Sequence, residues 1–466
     1  MLRLLIKFYK GVLVLEQSNK INEYLKTVCE QIRWKKAHSI ISKEIENHIV
    51  DQKEAFLAEG LSDEEATNKA ILEMGDPVIV GTGLDGVYKP KPEWGIIILT
   101  GIMLTLGVLI SAFAYDGDML WQLHNTIIYT VMGIIFMIIA YFLDFSIIGK
   151  CPKTIYLSLV IVTIGTMILG PRLRGQNFYL KFVMLLYPTA FAGILYTMRN
   201  EGYLGIVLSG VYCIIPGIVC LRNTGLSSLA LYLITCFILL IFAIMKGWFN
   251  VKRINALLLV CIPMIIILIV TVLSMNYYQL GRIKTAFNPS LDPLGIGYQG
   301  YSMRKIVGNA KLIGHNIHGI DINDIFPSLY MDREYLLTHL IDRMGWVSFI
   351  IIMLIISAFI IRSLRFSLNQ KGVLGGLVSM SVIVNFTMQV LLYVLHNLGF
   401  QLIAPLTLPL ISYGGISTII NMFLIGIMLS VYKSGILYKK DDSLDMSKDK
   451  IFQFIDGKII INLNRR

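Results

Sequence analysis

Ten apolar stretches, each close to the roughly 20 helical residues that cross a hydrocarbon core of about 30 Å, dominate this chain from Trp94 onward. They lie near 94–115, 125–147, 154–170, 178–197, 203–221, 225–245, 255–277, 344–361, 372–394 and 409–432. Lipid offers no partner to a backbone N–H or C=O, so segments of this length must close their hydrogen bonds internally as helices. An all-α, polytopic membrane fold with ten transmembrane helices is therefore expected. Charge agrees with it: of 41 Lys and Arg and 30 Asp and Glu, residues 1–93 hold 13 and 15, leaving 28 and 15 for the rest. The first fifth reads as a small soluble helical domain. Nucleic-acid binding needs a basic stripe on a folded face. Here the surplus basic charge lies between apolar runs, which excludes that partner and points to membrane orientation instead.

An even number of spans puts both ends on one side. With that side cytoplasmic, the short inner loops hold Lys150, Lys153, Arg199, Lys246, Lys252, Arg253, Arg362, Arg365 and Lys371, against Arg172, Arg174 and Arg222 outside. Lys and Arg accumulate on cytoplasmic loops, so both termini are expected in the cytoplasm. The domains follow: a cytoplasmic helical prefix over 1–93, a ten-span membrane domain over 94–433 with one long outer loop at 276–343, and a cytoplasmic tail over 434–466. In the prefix, Ser62 and Glu65 have capping-box spacing, and Gly75 with Pro77 forms a stop signal. Its stretch EIENHIVDQKEAFLAEGLSDEEATNKAILEMGDP resembles the small helical domain that precedes some bacterial permeases and signalling proteins, which implies a regulatory or docking module; the residues are equally compatible with a helical pair that merely packs on the membrane domain. In the tail, two strand-like runs flank Asp456-Gly457, a type I′ hairpin signal. The six cysteines show no CxxC pair or metal-ligand spacing, so neither a disulfide framework nor a zinc site is expected.

Two segments carry chemistry that is unusual at a membrane edge. In Arg282–Ser302, Pro289, Pro293, Gly295 and Gly297 dictate a turn-rich path, while Arg282, Asn288, Asp292 and Gln299 offer donors and acceptors at headgroup level. In Pro405–Phe423, Ser412, Tyr413, Gly414, Gly415 and Ser417 lead into the tenth span, where glycines allow close helix approach and hydroxyls can satisfy a broken turn. The runs Asn-Pro-x-x-Asp-Pro-x-Gly-x-Gly-Tyr-Gln and Pro-x-x-Ser-Tyr-Gly-Gly resemble the signature regions of the SEDS family (shape, elongation, division and sporulation). Span number and orientation are similar over most of the membrane domain. The resemblance implies a peptidoglycan glycosyltransferase that polymerises lipid II at the outer face of the bacterial cytoplasmic membrane, working with a class B penicillin-binding protein. Two other roles stay open for such a chain: a flippase for lipid-linked precursors, and an inactive relative that scaffolds or regulates cell-wall synthesis.

Glycan polymerisation sets its own requirements. An acceptor hydroxyl must lose its proton as it attacks an anomeric carbon, so a carboxylate must serve as general base at the outer interface. The long loop is the place for it. The family's catalytic Asp lies five residues after a Pro and eleven before a Gly. Counting from Pro327 reaches Asp332, and counting back from Gly345 reaches Glu334, so both stand as candidates. Arg172 and Arg174 fall where the family has an Arg-rich motif and would grip a diphosphate bidentately. Lys181, inside the fourth span, is a substrate-binding candidate because an intramembrane cation is costly without a role. Arg282, Asp292, Tyr298, Gln299, Ser412, Tyr413, Gly414 and Gly415 complete the substrate-binding set. His315, His318, Asp321 and Asp324 share the run HNIHGIDIND, yet no protein-built metal site is expected. A divalent cation, Mg or Mn, would accompany the substrate diphosphate. Asn385 and Gln389 in the ninth span, with His396 and Asn397 just beyond, read as interhelical hydrogen-bond glue or cavity lining.

Overall fold

The structure is a computed structural model that describes residues 19–90, 92–113, 120–173, 176–220, 226–315, 334–370, 372–402, 406–434, 452–455 and 458–461. It divides into two compact units, residues 1–92 with 433–466, and residues 93–432.

In the first unit, helices α1 (19–30), α2 (Lys35–Ala58), α3 (Asp63–Glu73) and α4 (Pro77–Tyr88) follow one another with short turns. Ile41, Ile45 and Ile49 recur every fourth residue, so they share one face of α2 and bury it against Val28, Ala66 and Ala70. The expected capping box is formed: the Glu65 N–H donates to Ser62 Oγ at 3.4 Å, and the Ser62 N–H donates to Glu65 Oε2 at 3.2 Å. The stop signal doubles as a start. Gly75 turns at φ +84°, and the Asp76 carboxylate then accepts from the N–H groups of Val78 and Ile79, with Pro77 opening α4. Hydrogen bonds from the Ser62 side chain and backbone hold the Glu65 carboxyl below its ordinary value. A depressed folded-state value means the box is intact above the usual glutamate range and is lost as pH falls through the lowered one. Ser62→Ala should therefore speed amide exchange over Asp63–Glu65 about fivefold at neutral pH, and the difference between variant and parent should shrink in acid. In the tail, strands Phe452–Ile455 and Lys458–Ile461 pair antiparallel with Ile455 opposite Lys458. That register leaves a two-residue connection, as the hairpin signal requires; Asp456 and Gly457 themselves lie outside the described residues.

The second unit is the membrane bundle. Among the described residues nine helical segments are long and apolar enough to cross a membrane, and the fifth expected stretch is met by the shorter apolar helix within Gly202–Cys220, with Pro216 inside it. In chain order the bundle contains α5 (Trp94–Phe113), α6 (Leu120–Phe142), the short α7 (Ser146–Lys150), α8 (Pro152–Leu169), α9 (Leu180–Val183) with α10 (Tyr187–Met198), α11 (Gly202–Cys220), α12 (Leu226–Met245) and α13 (Arg253–Leu273). The fourth span is thus broken, because α9 and α10 are separated by a turn at Met184–Leu186 that precedes Pro188. Burial sorts the spans: the fourth is buried along most of its length, whereas the strongly apolar α13 is exposed along nearly all of its own. An apolar, exposed helix of that kind is solvated by lipid.

Among its described residues the long connection after α13 is largely helical. α14 (Tyr277–Phe287) and α15 (Tyr298–Asn309) flank one turn of 3-10 helix at Pro289–Leu291, and α16 (Leu336–Met344) leads back to the bundle. The turn-rich path expected over Arg282–Ser302 is therefore confined to Asn288–Gly297, because the Pro and Gly residues cluster there and the flanking sequences are free to wind. α17 (Trp346–Leu368), α18 (Val373–Asn397) and α19 (Ile416–Ser434) complete the bundle. The tenth span starts later than expected. Residues 409–415 form turns, with Leu410 at φ +67° and Gly415 at φ +49°, conformations that no helix contains. α18 is the hub, packing on α10, α12 and α17.

Candidate active site

α18 carries Ser381, Asn385, Gln389, Tyr393 and Asn397 at intervals of four. All five are buried. Each step of four residues advances about 40° around a 3.6-residue helix, so the polar stripe winds and meets a different neighbour at each level. Ser381 Oγ donates to Thr189 Oγ1 at 3.3 Å on α10. Asn385 Nδ2 donates to the Leu185 carbonyl at 3.0 Å, satisfying an acceptor that the break in the fourth span sets free. Gln389 Nε2 donates to Asn421 Oδ1 at 3.1 Å on α19, and Asn421 donates back at 3.3 Å. These contacts are the interhelical glue expected of Asn385 and Gln389.

At the last two levels the stripe leaves the bundle and holds the loop. α16 begins at Tyr335 with no side-chain cap of its own. The missing acceptors come from α18: the Leu336 N–H donates to Tyr393 Oη at 3.1 Å, and the Thr338 N–H donates to Asn397 Oδ1 at 3.1 Å. Asn397 Nδ2 in turn donates to the Glu334 carbonyl at 3.0 Å. The Tyr335 ring stacks on His396 with centroids 5.5 Å apart. His396 is buried, and neither ring nitrogen has a hydrogen-bond partner among the described residues. The other end of α16 is also fixed. Gly345 ends it at φ +87°, and the strap Lys311–Gly314 lies across it: the N–H groups of Trp346 and Val347 donate to the carbonyls of Lys311 and Leu312, both at 3.1 Å.

Asp292 organises the preceding turn. Its carboxylate accepts from the N–H groups of Gly295 at 3.0 Å and Ile296 at 2.9 Å, leaving Tyr298 and Gln299 exposed at the start of α15. α15 packs on α16, and it approaches the end of α18 through Gly300 and Gly399, the latter at φ +86°. Arg304 locks this contact, with its guanidinium over the Phe400 ring at 4.5 Å and a hydrogen bond to the Phe287 carbonyl at 2.9 Å. The Asp292 turn, the start of α15, and α16 with Glu334 therefore form one assembly at the end of α18.

The remaining candidates occupy other places. Arg282 is exposed on α14. Arg172 is exposed on a two-residue strand that pairs with Gln176–Asn177. Lys181 is half-buried, with Nζ 4.9 Å from the ring centroids of both Phe178 and Phe182. Ser412, Tyr413, Gly414 and Gly415 line a narrow cleft with Gly107 on α5 and Thr126 and Tyr129 on α6. There the glycines serve close approach: a Cβ on Gly107 would stand 2.7 Å from the Leu410 carbonyl oxygen. Asp332, Arg174, His318, Asp321 and Asp324 lie outside the described residues, and His315 Nδ1 is 3.4 Å from the Asp342 carbonyl. Among the described residues no group of three or more His, Cys, Asp or Glu is placed to hold a metal ion. Thr338, Tyr393 and Arg304 are not among the residues that the sequence puts forward. The fourfold spacing on α18 is the signal that points to Tyr393; Arg304 has none.

Comparison with known proteins places these features in context. Residues 93–435 match the family model FTSW_RODA_SPOVE, described as "Cell cycle protein". A probable peptidoglycan glycosyltransferase FtsW of Buchnera aphidicola subsp. Baizongia pistaciae is 25% identical over 373 residues, 74% of this chain and 93% of that protein. Another, of Trichlorobacter lovleyi, is 25% identical over 173 residues, 37% of this chain and 44% of that one. The stage V sporulation protein E of Bacillus subtilis is 27% identical over 154 residues, 33% of this chain and 42% of the relative. The chain thus spans less than half the length of these last two. Among solved structures, a chain from a work on structural coordination of polymerization and crosslinking by a peptidoglycan synthase complex is similar with a TM-score of 0.60 at 17% identity, covering 74% of this chain and 98% of that one. A point mutant of the rod shape determining protein RodA of Thermus thermophilus gives 0.52 at 14% identity, covering 73% and 97%. At these identities the structures share the fold.

Proposed function

The chain belongs to the FtsW, RodA and SpoVE family of cell cycle proteins, and from that membership we propose that it is a peptidoglycan glycosyltransferase polymerising lipid II at the outer face of the cytoplasmic membrane. The observation that carries the reading is the clamped segment Glu334–Thr338: a stretch bearing a carboxylate, with Asp332 two residues upstream, is fixed by hydrogen bonds to the end of a membrane span. Both substrates are lipid-anchored, so a base held at that level meets their sugars where they protrude from the bilayer. The acceptor hydroxyl oxygen forms a bond to the anomeric carbon of the donor, its proton passes to the carboxylate, and the bond from that carbon to the lipid diphosphate breaks with its electron pair. Such a leaving group requires positive charge, and the candidates for it are Arg172 and Arg174, which fall where the family has an Arg-rich motif, with Lys181 and Arg282; none of the four belongs to the assembly around Glu334 described above. A divalent cation, Mg or Mn, belongs with the diphosphate rather than with a protein-built cage, in keeping with the few protein ligands Mg takes in phosphate sites. The Lys and Arg distribution supports both termini on the cytoplasmic side. The likeness to a chain of a peptidoglycan synthase complex supports a class B penicillin-binding protein as the crosslinking partner.

Purified full-length protein given lipid II and Mg or Mn should yield glycan strands resolvable on a gel, and chelation should stop the reaction. Transbilayer movement of lipid II in vesicles with no strand formation would overturn this reading in favour of transport. Neither activity, in protein that retains cooperative thermal unfolding, would overturn it in favour of a scaffold.

A further inference from the structure

We propose that Asn397, in the last turn of α18, is a positioning residue that sets the height and register of the carboxylate-bearing segment; the inference rests on the glycosyltransferase reading above. An uncapped helix start is mobile unless its first N–H groups find acceptors. At α16 those acceptors belong to another helix, 57 and 59 residues away in the chain. Asn397 is fully buried and uses both ends of its amide. Oδ1 accepts from the Thr338 N–H and from Thr338 Oγ1, each at 3.1 Å, while Nδ2 donates to the carbonyls of Glu334 and Tyr393, each at 3.0 Å. The single Thr338 hydroxyl proton is shared between Asn397 Oδ1 and the Asn397 carbonyl, the latter at 2.9 Å.

One side chain therefore grips the chain on both sides of the helix start, at the carbonyl of Glu334 and at the N–H of Thr338. Only an amide does this. A carboxylate at the position keeps the acceptor and turns the donor into a second acceptor, facing two carbonyl oxygens; an alkyl chain offers neither. The distance from grip to chemistry is short. Glu334 is held at its own carbonyl, and Asp332 is two residues upstream in the sequence. A catalytic group displaced by about 1 Å can cost on the order of 100-fold in rate. The fold does not depend on this grip alone, since the Leu336–Tyr393 hydrogen bond, the Tyr335–His396 stack and the packing of α15 on α16 are untouched by a change at Asn397.

The test uses the full chain, lipid II polymerisation kinetics and a thermal unfolding scan on the parent, Asn397→Asp, Thr338→Val and Thr338→Ser. Positioning predicts that Asn397→Asp lowers kcat by about 10- to 100-fold with KM for lipid II within about twofold. Thr338→Ser, which keeps the hydroxyl, should stay near the parent, and Thr338→Val should fall between. An unchanged kcat in Asn397→Asp, or a rise in KM alone, overturns the positioning role while leaving the function in place. A parent that makes no strands overturns the function instead. Should Asn397→Asp fail to fold, Thr338→Val decides: parental kcat there rejects the proposal, and a kcat loss rescued by Thr338→Ser supports it.

Discussion

The Asp332→Ala/Glu334→Ala double variant is expected to lose lipid II polymerisation by a factor of about 10²–10⁴, the range over which a positioned general base accelerates proton transfer, in protein that still unfolds cooperatively. The backbone hold on the segment survives the change. Its ties to α18 run through the Glu334 carbonyl, the Leu336 N–H and Thr338, none of which is removed when the Glu334 side chain is cut back. Loss of rate can then be read as loss of chemistry. The single variants apportion it, the larger loss marking the base and the smaller one a neighbour that tunes it. Strand synthesis at the parental rate in the double variant would remove any carboxylate of this segment from the mechanism.

A second large effect is expected at Gly345, where the smallest possible side chain should be disruptive. The residue sits at φ +87° and ψ 175°, a region open essentially to glycine alone, and a Cβ there would lie 2.5 Å from the Leu312 carbonyl oxygen. Backbone strain of about 1–3 kcal/mol and a similar cost of overpacking act together. They also strike a carbonyl that is already engaged, since Leu312 accepts from the Val347 N–H. Gly345→Ala should lower stability by about 3 kcal/mol, seen as a marked fall in unfolding temperature in detergent, and should reduce strand synthesis because α16 loses its end stop. Gly314 provides the comparison. It shares a positive φ of +86°, but a Cβ there meets nothing within 4 Å, so Gly314→Ala should carry the strain alone and cost less. Equal unfolding temperatures for the two variants would show that the strap does not press on Gly345.

The membrane spans were legible in the sequence because their cause is local: a run of apolar residues of bilayer length has one way to satisfy its backbone. The same holds for the Ser62–Glu65 box, whose two partners are three residues apart. The helices of the long connection were harder to read. Tyr277–Phe287 mixes polar and apolar residues over 11 positions, too few for a firm period, and the prolines and glycines that follow suggested turns for the whole stretch. The tenth span was drawn seven residues too early for the opposite reason, since Pro409–Gly415 is apolar enough to pass for helix while Leu410 and Gly415 bend it. The clamp on α16 was invisible, because nothing in the run EYLLTH announces that its missing cap lies on a helix dozens of residues downstream. From sequence Asn397 reads only as glue or cavity lining just beyond the ninth span; its service to the carboxylate segment arises from a contact 59 residues away in the chain.

The winding stripe on α18 has a mechanical consequence. Its five anchor points cover 16 residues, about 24 Å of axial rise, and they pull toward the fourth span, the tenth span and the long loop in turn. A rod tethered in several directions along its length resists twisting, because any rotation stretches some tethers at once, yet it can still lean as a stiff lever. The hold on Thr338 is therefore carried by the same rod that is tied to the fourth and tenth spans.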